Sequence, residues 1–247
     1  MKTTTKTGHK ENVKNLNVLS ARTGTFGDAY NPSNPALTVA NMIIIGKNGQ
    51  DANDAVDIAE VAVKNMTRAR SESFNALDSV VDRSLNAMKV SGASEQTIEQ
   101  AKSLAREVHG RRASELLSDE ELAAAKAKGN EITQHVVHNA SFDRKIENFG
   151  RYALFFASVP EYKPNETEIT AVGLNGMLTE LKAKNAGLLA AETTYATALS
   201  HRDTVLYADT TGLVDIAQSV KTYVKSVFGS RSGQYKQISD LVFTRII

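Results

Sequence analysis

Residues 52–69 read ANDAVDIAEVAVKNMTRA, an alanine-rich stretch in which apolar side chains recur at helical spacing. Gaps of three and four residues place these side chains on one face of an α-helix. They are Ala52, Ala55, Ala59, Ala62, Met66 and Ala69. Proline is absent from residues 36–159, and small side chains let helices approach closely. The stretch therefore predicts the middle of a long, packed amphipathic helix.

The ends of this long helix are marked by residues with strong positional preferences. Asn34 is a favourable N-cap, and Pro35 suits the first helical position because the N–H that proline lacks has no helical partner there. Gly92 ends the helix near residue 90, which gives a length of about 80 Å at 1.5 Å per residue. Gly46 and Gly49 are the positions at which the sequence would allow an early kink or break.

The composition excludes several classes of protein. The 247 residues include 29 Lys and Arg against 28 Asp and Glu, so the formal net charge of +1 fits neither a basic nucleic-acid coat nor an acidic tail. Hydrophobic residues make up 41% of the chain, which is enough for a sizeable core. The absence of cysteine excludes disulfides, thiolate metal sites and cysteine nucleophiles.

The sequence carries no signal for export or for a membrane span. Residues 1–10 are rich in Thr and Lys, and the apolar stretch of roughly 7–15 residues that a secretory signal needs does not follow them. We predict a flexible tail over 1–10. The longest apolar runs, 42–45 and 152–157, fall far short of the roughly 20 residues of a membrane helix. We expect a cytoplasmic protein without a cofactor.

Short motifs recur in the same order in the two halves of the chain, at offsets of about 132 to 137 residues. The matching pairs are Tyr30-x-Pro32 with Tyr162-x-Pro164, Val80-Val81-Asp82 with Leu213-Val214-Asp215, and Val90-x-Gly92 with Val227-x-Gly229. This colinear series predicts an internal duplication, with one helical unit at 11–112, a second at 143–247 and a connecting segment at 113–142.

The breaks between periodic segments predict the other helices. Residues 234–247 close the chain as a last helical turn or a short extended segment. Besides the long helix that begins at Pro35, the predicted helices cover about 10–22, 94–110, 131–158, 165–207 and 213–228.

The fold class follows from the length of the two longest helices. A long amphipathic helix cannot bury its apolar face alone. Pairing the long helices of the two copies antiparallel, about a pseudo-twofold axis, is the simplest solution. We predict an all-α fold, an elongated helical bundle with coiled-coil-like packing. The alternative is that a long helix pairs with a helix of another chain.

The corner Tyr30-Asn31-Pro32-Ser33 and the late run 220–229, read together with 234–238 and 243–245, form the most distinctive part of the sequence. With these motifs the chain resembles, over most of its length, a family of uncharacterised helical proteins from Bacteroidetes-type bacteria. The late run is the most specific part of the likeness. The resemblance implies a bacterial, soluble, duplicated helical protein, and it implies no activity, catalytic residue or cofactor.

One group of side chains has the residue types of a metal site. His135 and His138 are three residues apart, and Glu131 precedes His135 by four, so one helical face could present all three to a metal ion. Di-iron helical bundles use a Glu-x-x-His motif on two helices, and this sequence contains none. Solvated or interhelical histidines are the simpler interpretation, and we predict no metal.

Two other patterns fit loops and helix surfaces better than they fit catalysis. The loop at 229–233 could offer backbone N–H groups to a phosphate, but it lacks the lysine and spacing of a phosphate-binding loop. Ser200, His201 and Asp203 have the residue types of a triad. Neighbours on a helix point about 100° apart, so these side chains cannot converge. We predict no catalytic residue and do not expect an enzyme.

The stretch 213–247 is basic, with five basic residues against two acidic ones. Lys221 and Lys225 are one helical turn apart with Tyr223 between them, and such a face could meet the phosphates of a polyanion. The near-neutral charge of the whole chain favours an ordinary solvated surface instead. The candidate polyanion-binding residues are Lys221, Lys225, Arg231, Lys236 and Arg245.

The residues that the two copies share are mostly those that shape corners and caps. We interpret them as structural, with a pseudo-symmetric ligand site as the alternative. The corner residues are Tyr30, Pro32, Gly92, Tyr162, Pro164 and Gly229.

Long helices, alanine-rich faces and duplication, without a convergent polar site, favour a structural or interaction protein. We expect a rigid helical scaffold that self-assembles or binds a protein partner. Binding of nucleic acid or another polyanion through the basic late segment is the alternative. A helical toxin or injected effector is less favoured, because the sequence lacks an apolar hairpin that could insert into a membrane.

Overall fold

The computed structural model describes residues 5–110 and 141–246, together with Ala127, and these residues form helices, turns and irregular segments without any strand. The predicted all-α class is confirmed. The seven described helices are α1 (Thr5–Gly24), α2 (Val39–Lys89), α3 (Glu95–His109), α4 (Phe142–Ser158), α5 (Ala171–Tyr207), α6 (Leu213–Phe228) and α7 (Gly233–Ser239).

Helix α1 begins at Thr5, inside the segment for which the sequence predicted a flexible tail. The reason lies in its buried side chains: His9 is 4% exposed, Asn12 2% and Val13 1%. These residues pack against parts of the chain that are far away in sequence. A local search for apolar periodicity therefore places the start of the helix too late.

Helix α2 is continuous over 51 residues, close to the predicted extent. A short 3₁₀ turn at Pro35–Leu37 precedes it, and the Asn34 side chain accepts a hydrogen bond from the Ala36 N–H at 3.0 Å. Gly49 does not break the helix. A Cβ at this position would lie 2.9 Å from Val13 Cγ2 and 3.1 Å from the Leu213 side chain, so glycine here permits close packing.

The breaks after α2 and α6 occur where glycine and serine predict them. Gly92 adopts a positive φ of 85°, a conformation that favours glycine, and Ser94 then caps α3 by accepting a hydrogen bond from the Thr97 N–H at 3.2 Å. Gly229 has a φ of 87°, and Ser232 caps α7 in the same way through the Tyr235 N–H. The remaining residues, 240–246, are irregular.

The chain divides into two compact units, and neither coincides with a predicted repeat. Unit 1 comprises Met1–Lys64 and Ala190–Ile247, and unit 2 comprises Asn65–Leu189. Helices α2 and α5 contribute residues to both units. Each unit therefore combines parts of the two sequence halves, which a linear division at 113–142 does not anticipate.

Each unit has its own hydrophobic core. In unit 1, α6 packs against α1, α7 and the 3₁₀ turn at Pro35–Leu37, and in unit 2, α3 packs against α4. The unit 1 core includes Leu16, Leu19, Met42, Leu206, Leu213, Val220, Val224 and Ile238. The unit 2 core includes Leu77, Val81, Met88, Phe149, Tyr152, Phe156, Leu174 and Leu181.

Candidate functional site

The two Tyr-x-Pro corners form the same hydrogen bond. The Tyr30 hydroxyl donates to the Leu37 carbonyl, and the Tyr162 hydroxyl donates to the Ile169 carbonyl, seven residues later in both cases. Both tyrosines are buried, at 8% and 6% exposure. Burial, with a smaller contribution from Glu166, raises the pKa of Tyr162 to about 12. The two phenols therefore stay protonated and act as donors that close the corners.

The threonine that follows each corner caps a long helix in the same way. Thr38 Oγ1 donates to the Pro35 carbonyl at 2.9 Å and accepts from the Asn41 N–H at 3.3 Å. Thr170 Oγ1 donates to the Thr167 carbonyl at 2.8 Å and accepts from the Gly173 N–H at 3.0 Å. The shared residues thus serve local structure at both corners.

We expect both corner tyrosines to stabilise the fold to a similar degree. Tyr30→Phe and Tyr162→Phe each leave a buried carbonyl without its donor, so each should lower the free energy of unfolding by about 1–3 kcal/mol. Tyr195→Phe, at a half-buried position on α5, is the control variant. Urea denaturation followed by circular dichroism measures the free energy of unfolding of each of the three variants relative to the native chain. A loss at one corner only would contradict the equivalence of the two.

An open cleft lies beside each corner. The unit 2 cleft, of about 720 Å³, is lined by Arg83, Lys163, Pro164 and Glu166 among others, and Arg83 forms an ion pair with Glu168 at 2.6 Å. The unit 1 cleft, of about 700 Å³, lies between the first corner and α6. Both clefts are wide and carry side chains of mixed character. Hydroxyl and amide side chains with one carboxylate line the unit 1 cleft, whereas the unit 2 cleft carries charges of both signs.

Two of the five candidate polyanion-binding residues are engaged within the protein. Lys221 Nζ donates to the carbonyls of Ser239 at 3.0 Å and Leu241 at 2.8 Å, and burial lowers the pKa of this ammonium. Arg245 forms ion pairs with Asp209 at 3.0 Å and Asp215 at 2.9 Å. Lys221 and Arg245 therefore hold the residues after α7 in place.

The other three candidate basic residues are exposed. Lys225 lies near the ring of Tyr235, with its Nζ 6.0 Å from the ring centre, and Arg231 and Lys236 are on the surface of the α6–α7 region. The predicted basic face is thus reduced from five cations to three.

A buried polar network in unit 1 was not found from the sequence. His9 Nδ1 lies 2.7 Å from the Tyr207 hydroxyl, and Asn12 Nδ2 donates to the same hydroxyl at 3.3 Å. Asn12 also binds both backbone groups of Thr244: its Nδ2 donates to the carbonyl at 2.7 Å, and its Oδ1 accepts from the N–H at 3.0 Å. These hydrogen-bond partners are about 200 residues apart in the sequence, so the pattern of neighbouring residues does not reveal them.

The His9 network makes stability depend on pH. Burial lowers the pKa of His9, the nearby Arg202 lowers it further, and Asp203 opposes the change. The unfolded chain therefore binds a proton at His9 more readily than the folded chain does. The free energy of unfolding should fall as the pH drops below about 6.5, the ordinary pKa of histidine.

The variant His9→Asn tests this pH dependence. Urea denaturation between pH 8 and pH 5 should give a smaller loss of stability for the variant than for the native chain, since the titrating group has been removed. His201→Asn, at an exposed histidine, is the matched control and should follow the native chain. Equal slopes for His9→Asn and the native chain would contradict the assignment.

His109 has a structural role at the end of α3. Its Nδ1 lies 3.0 Å from Asp78, and its Nε2 lies 3.0 Å from Asp82, so the ring joins α3 to two residues one turn apart on α2. The imidazole is 6% exposed. The spacing of Asp78 and Asp82 is the sequence signal that could have indicated this contact.

The remaining predicted sites are not assembled in the described residues. Arg202 Nη2 forms an ion pair with the neighbouring Asp203 at 2.7 Å, and His201 is exposed, so the triad-like residues do not converge. Within 5–110 and 141–246, no three His, Asp or Glu side chains are grouped as metal ligands. The metal candidates Glu131, His135 and His138 lie outside the described residues.

None of the described helices has the length and apolar character needed to cross a membrane.

No protein-family model matches the chain, and comparisons with curated proteins and with solved structures found no match either.

Proposed function

We propose that this protein is a structural or interaction protein, a helical scaffold that assembles with copies of itself. The observation that carries the proposal is a set of large aliphatic side chains left exposed on α2 in unit 1. Ile43 is 58% exposed, Ile44 57%, Ile58 72% and Val61 55%. Such a group of exposed branched side chains is typical of a protein-contact surface.

The charge of the chain supports association between identical copies. A large net charge keeps copies of a protein apart, whereas the formal net charge here is only +1. Repulsion between two copies is therefore small.

We further propose that the chain arose by internal duplication, and that its long helices pair antiparallel in an elongated bundle. The identical corner hydrogen bonds of Tyr30 and Tyr162, and the identical caps of Thr38 and Thr170, support the duplication. Binding of a polyanion stays as the second candidate. Lys225, Arg231 and Lys236 support it, and affinity for labelled DNA that falls steeply with salt would identify it.

The variant Ile58→Glu tests the proposed self-assembly. We expect it to weaken association at least tenfold in light-scattering measurements, because a carboxylate replaces an aliphatic side chain at the contact. Leu154→Glu is the matched control, since Leu154 is also 72% exposed but lies on α4 in unit 2. Equal association of the two variants would show that the α2 surface does not mediate assembly.

A further inference from the structure

Residues 240–246 form an irregular segment after α7, which we call the C-terminal strap. Two side chains of α1 hold the strap by its backbone. Asn12 binds both backbone groups of Thr244, and Asn15 Nδ2 donates to the Val242 carbonyl at 2.8 Å. Because the strap itself forms neither a helix nor a sheet ladder, its position depends on such side-chain contacts.

The Asn12 contact is linked to a buried histidine. The Asn12 amide group that donates to the Thr244 carbonyl also donates to the Tyr207 hydroxyl, at 3.3 Å. The same hydroxyl lies 2.7 Å from His9 Nδ1. Since the hydroxyl oxygen accepts from Asn12, the hydroxyl proton is donated to Nδ1 of the neutral imidazole. A continuous chain of hydrogen bonds therefore runs from His9 to the backbone of the strap.

The strap also lies along the helical turn of α1 that contains His9. The Ile246 side chain lies against Gly8, the residue before the histidine, and Thr244 is bound by Asn12, three residues after it. All of these residues belong to unit 1. The imidazole is thus buried at the place where the strap is attached.

Protonation of His9 removes the acceptor at the start of the hydrogen-bond chain. An imidazolium carries a proton on both ring nitrogens, so its Nδ1 does not accept from Tyr207. It would also be a buried charge, since His9 is 4% exposed, with the guanidinium of Arg202 nearby. Separation of the strap from α1 relieves both conditions, because water then reaches the ring and the hydroxyl.

Several elements of unit 1 bring ionisable side chains to this end of α1. Besides His9 and Tyr207, they are Arg202 and Asp203 on α5, Asp54 and Asp57 on α2 beside Lys10, and Arg245 of the strap with Asp209 and Asp215. The ordinary pKa values of aspartate, tyrosine, lysine and arginine lie outside the range from pH 5 to pH 8, whereas that of histidine lies inside it. His9 is therefore the group of this set whose charge changes in that range.

We propose that His9 is a pH-sensitive latch: the neutral imidazole keeps the C-terminal strap docked on α1, and protonation releases the strap while the helices stay folded. Release uncovers the amide groups of Asn12 and Asn15, together with the core surface that Leu241 covers. The inference goes beyond the proposed self-assembly and does not depend on it.

A spin label on the strap measures its release. The native chain has no cysteine, so a nitroxide attached to the full-length variant Val242→Cys reports on the strap alone. Val242 is 67% exposed, and the label therefore does not displace the core. We expect electron paramagnetic resonance to show a mobile fraction at least five times larger at pH 5 than at pH 8. Circular dichroism should show unchanged helical content over the same range.

Two control samples relate the release to the strap and to His9. A label at Leu154→Cys, which is 72% exposed on α4, should keep the same mobility at both pH values. In chains labelled at position 242, His9→Asn should abolish the change with pH, whereas His201→Asn, at an exposed histidine, should leave it intact. An immobile strap at pH 5, or a full pH response in His9→Asn, would overturn the inference.

Two further results separate a latch from general unfolding. Asn12→Ala cuts the hydrogen-bond chain between Tyr207 and Thr244, so its labelled strap should already be mobile at pH 8, with a mobile fraction at least five times that of the native chain. A docked strap in this variant would contradict the assigned chain. Loss of helical content in step with label mobility would also overturn the latch, because the label would then report the unfolding of unit 1.

Discussion

Replacing Phe156 with alanine is expected to lower the free energy of unfolding by about 3–5 kcal/mol. Phe156 is fully buried in unit 2. Its ring stacks on Tyr152 with the centroids 4.1 Å apart and meets Tyr162 edge-on at 4.8 Å. Truncation removes both ring contacts and leaves a cavity in the unit 2 core.

Urea denaturation followed by circular dichroism measures the loss at Phe156. Leu154→Ala is the matched control, because Leu154 is on the same helix but 72% exposed. This control should change stability by no more than about 0.5 kcal/mol. A small effect of Phe156→Ala, similar to that of Leu154→Ala, would contradict the packing of α4 into the unit 2 core.

Replacing Leu16 with alanine is expected to lower the free energy of unfolding by about 2–5 kcal/mol. Leu16 is fully buried on α1 and belongs to the unit 1 core with Met42 and Leu206. A large effect at Leu16 would therefore show that α1 is an integral part of the core.

The same denaturation experiment measures the loss at Leu16, and Asn17→Ala is the control at an exposed neighbouring position. We expect Asn17→Ala to stay close to the native chain. If Leu16→Ala were as mild as its neighbour, α1 would not be packed as described. The pair Phe156 and Leu16 thus tests the two cores separately.

Local features of the fold could be predicted from the sequence because their causes are local. The bounds of α6 follow from Gly212 and Gly229, and the start of α3 follows from Ser94. Corner hydrogen bonds join residues only seven positions apart, so the Tyr-x-Pro motif marks them directly. Helix period, caps and breaks are all properties of neighbouring residues.

Features that depend on distant partners could not be predicted. The contact of His9 with Tyr207, and that of Asn12 with Thr244, join opposite ends of the sequence. Lys221 and Arg245 looked like free surface cations because their partners come from other segments. The division into units could not be predicted for the same reason. Each unit combines residues from both halves of the sequence, and only tertiary contacts bring these residues together.

The molar mass of the native chain in solution tests the account most directly. Light scattering coupled to size exclusion measures this mass over a hundredfold range of concentration, at low and at high salt. Because high salt screens electrostatic interactions, association through apolar surfaces persists there, whereas binding of charged contaminants is lost. We predict a mass that reaches at least twice the 26.7 kDa of one chain and persists at high salt. A mass of 26.7 kDa at every concentration would contradict the proposed self-assembly.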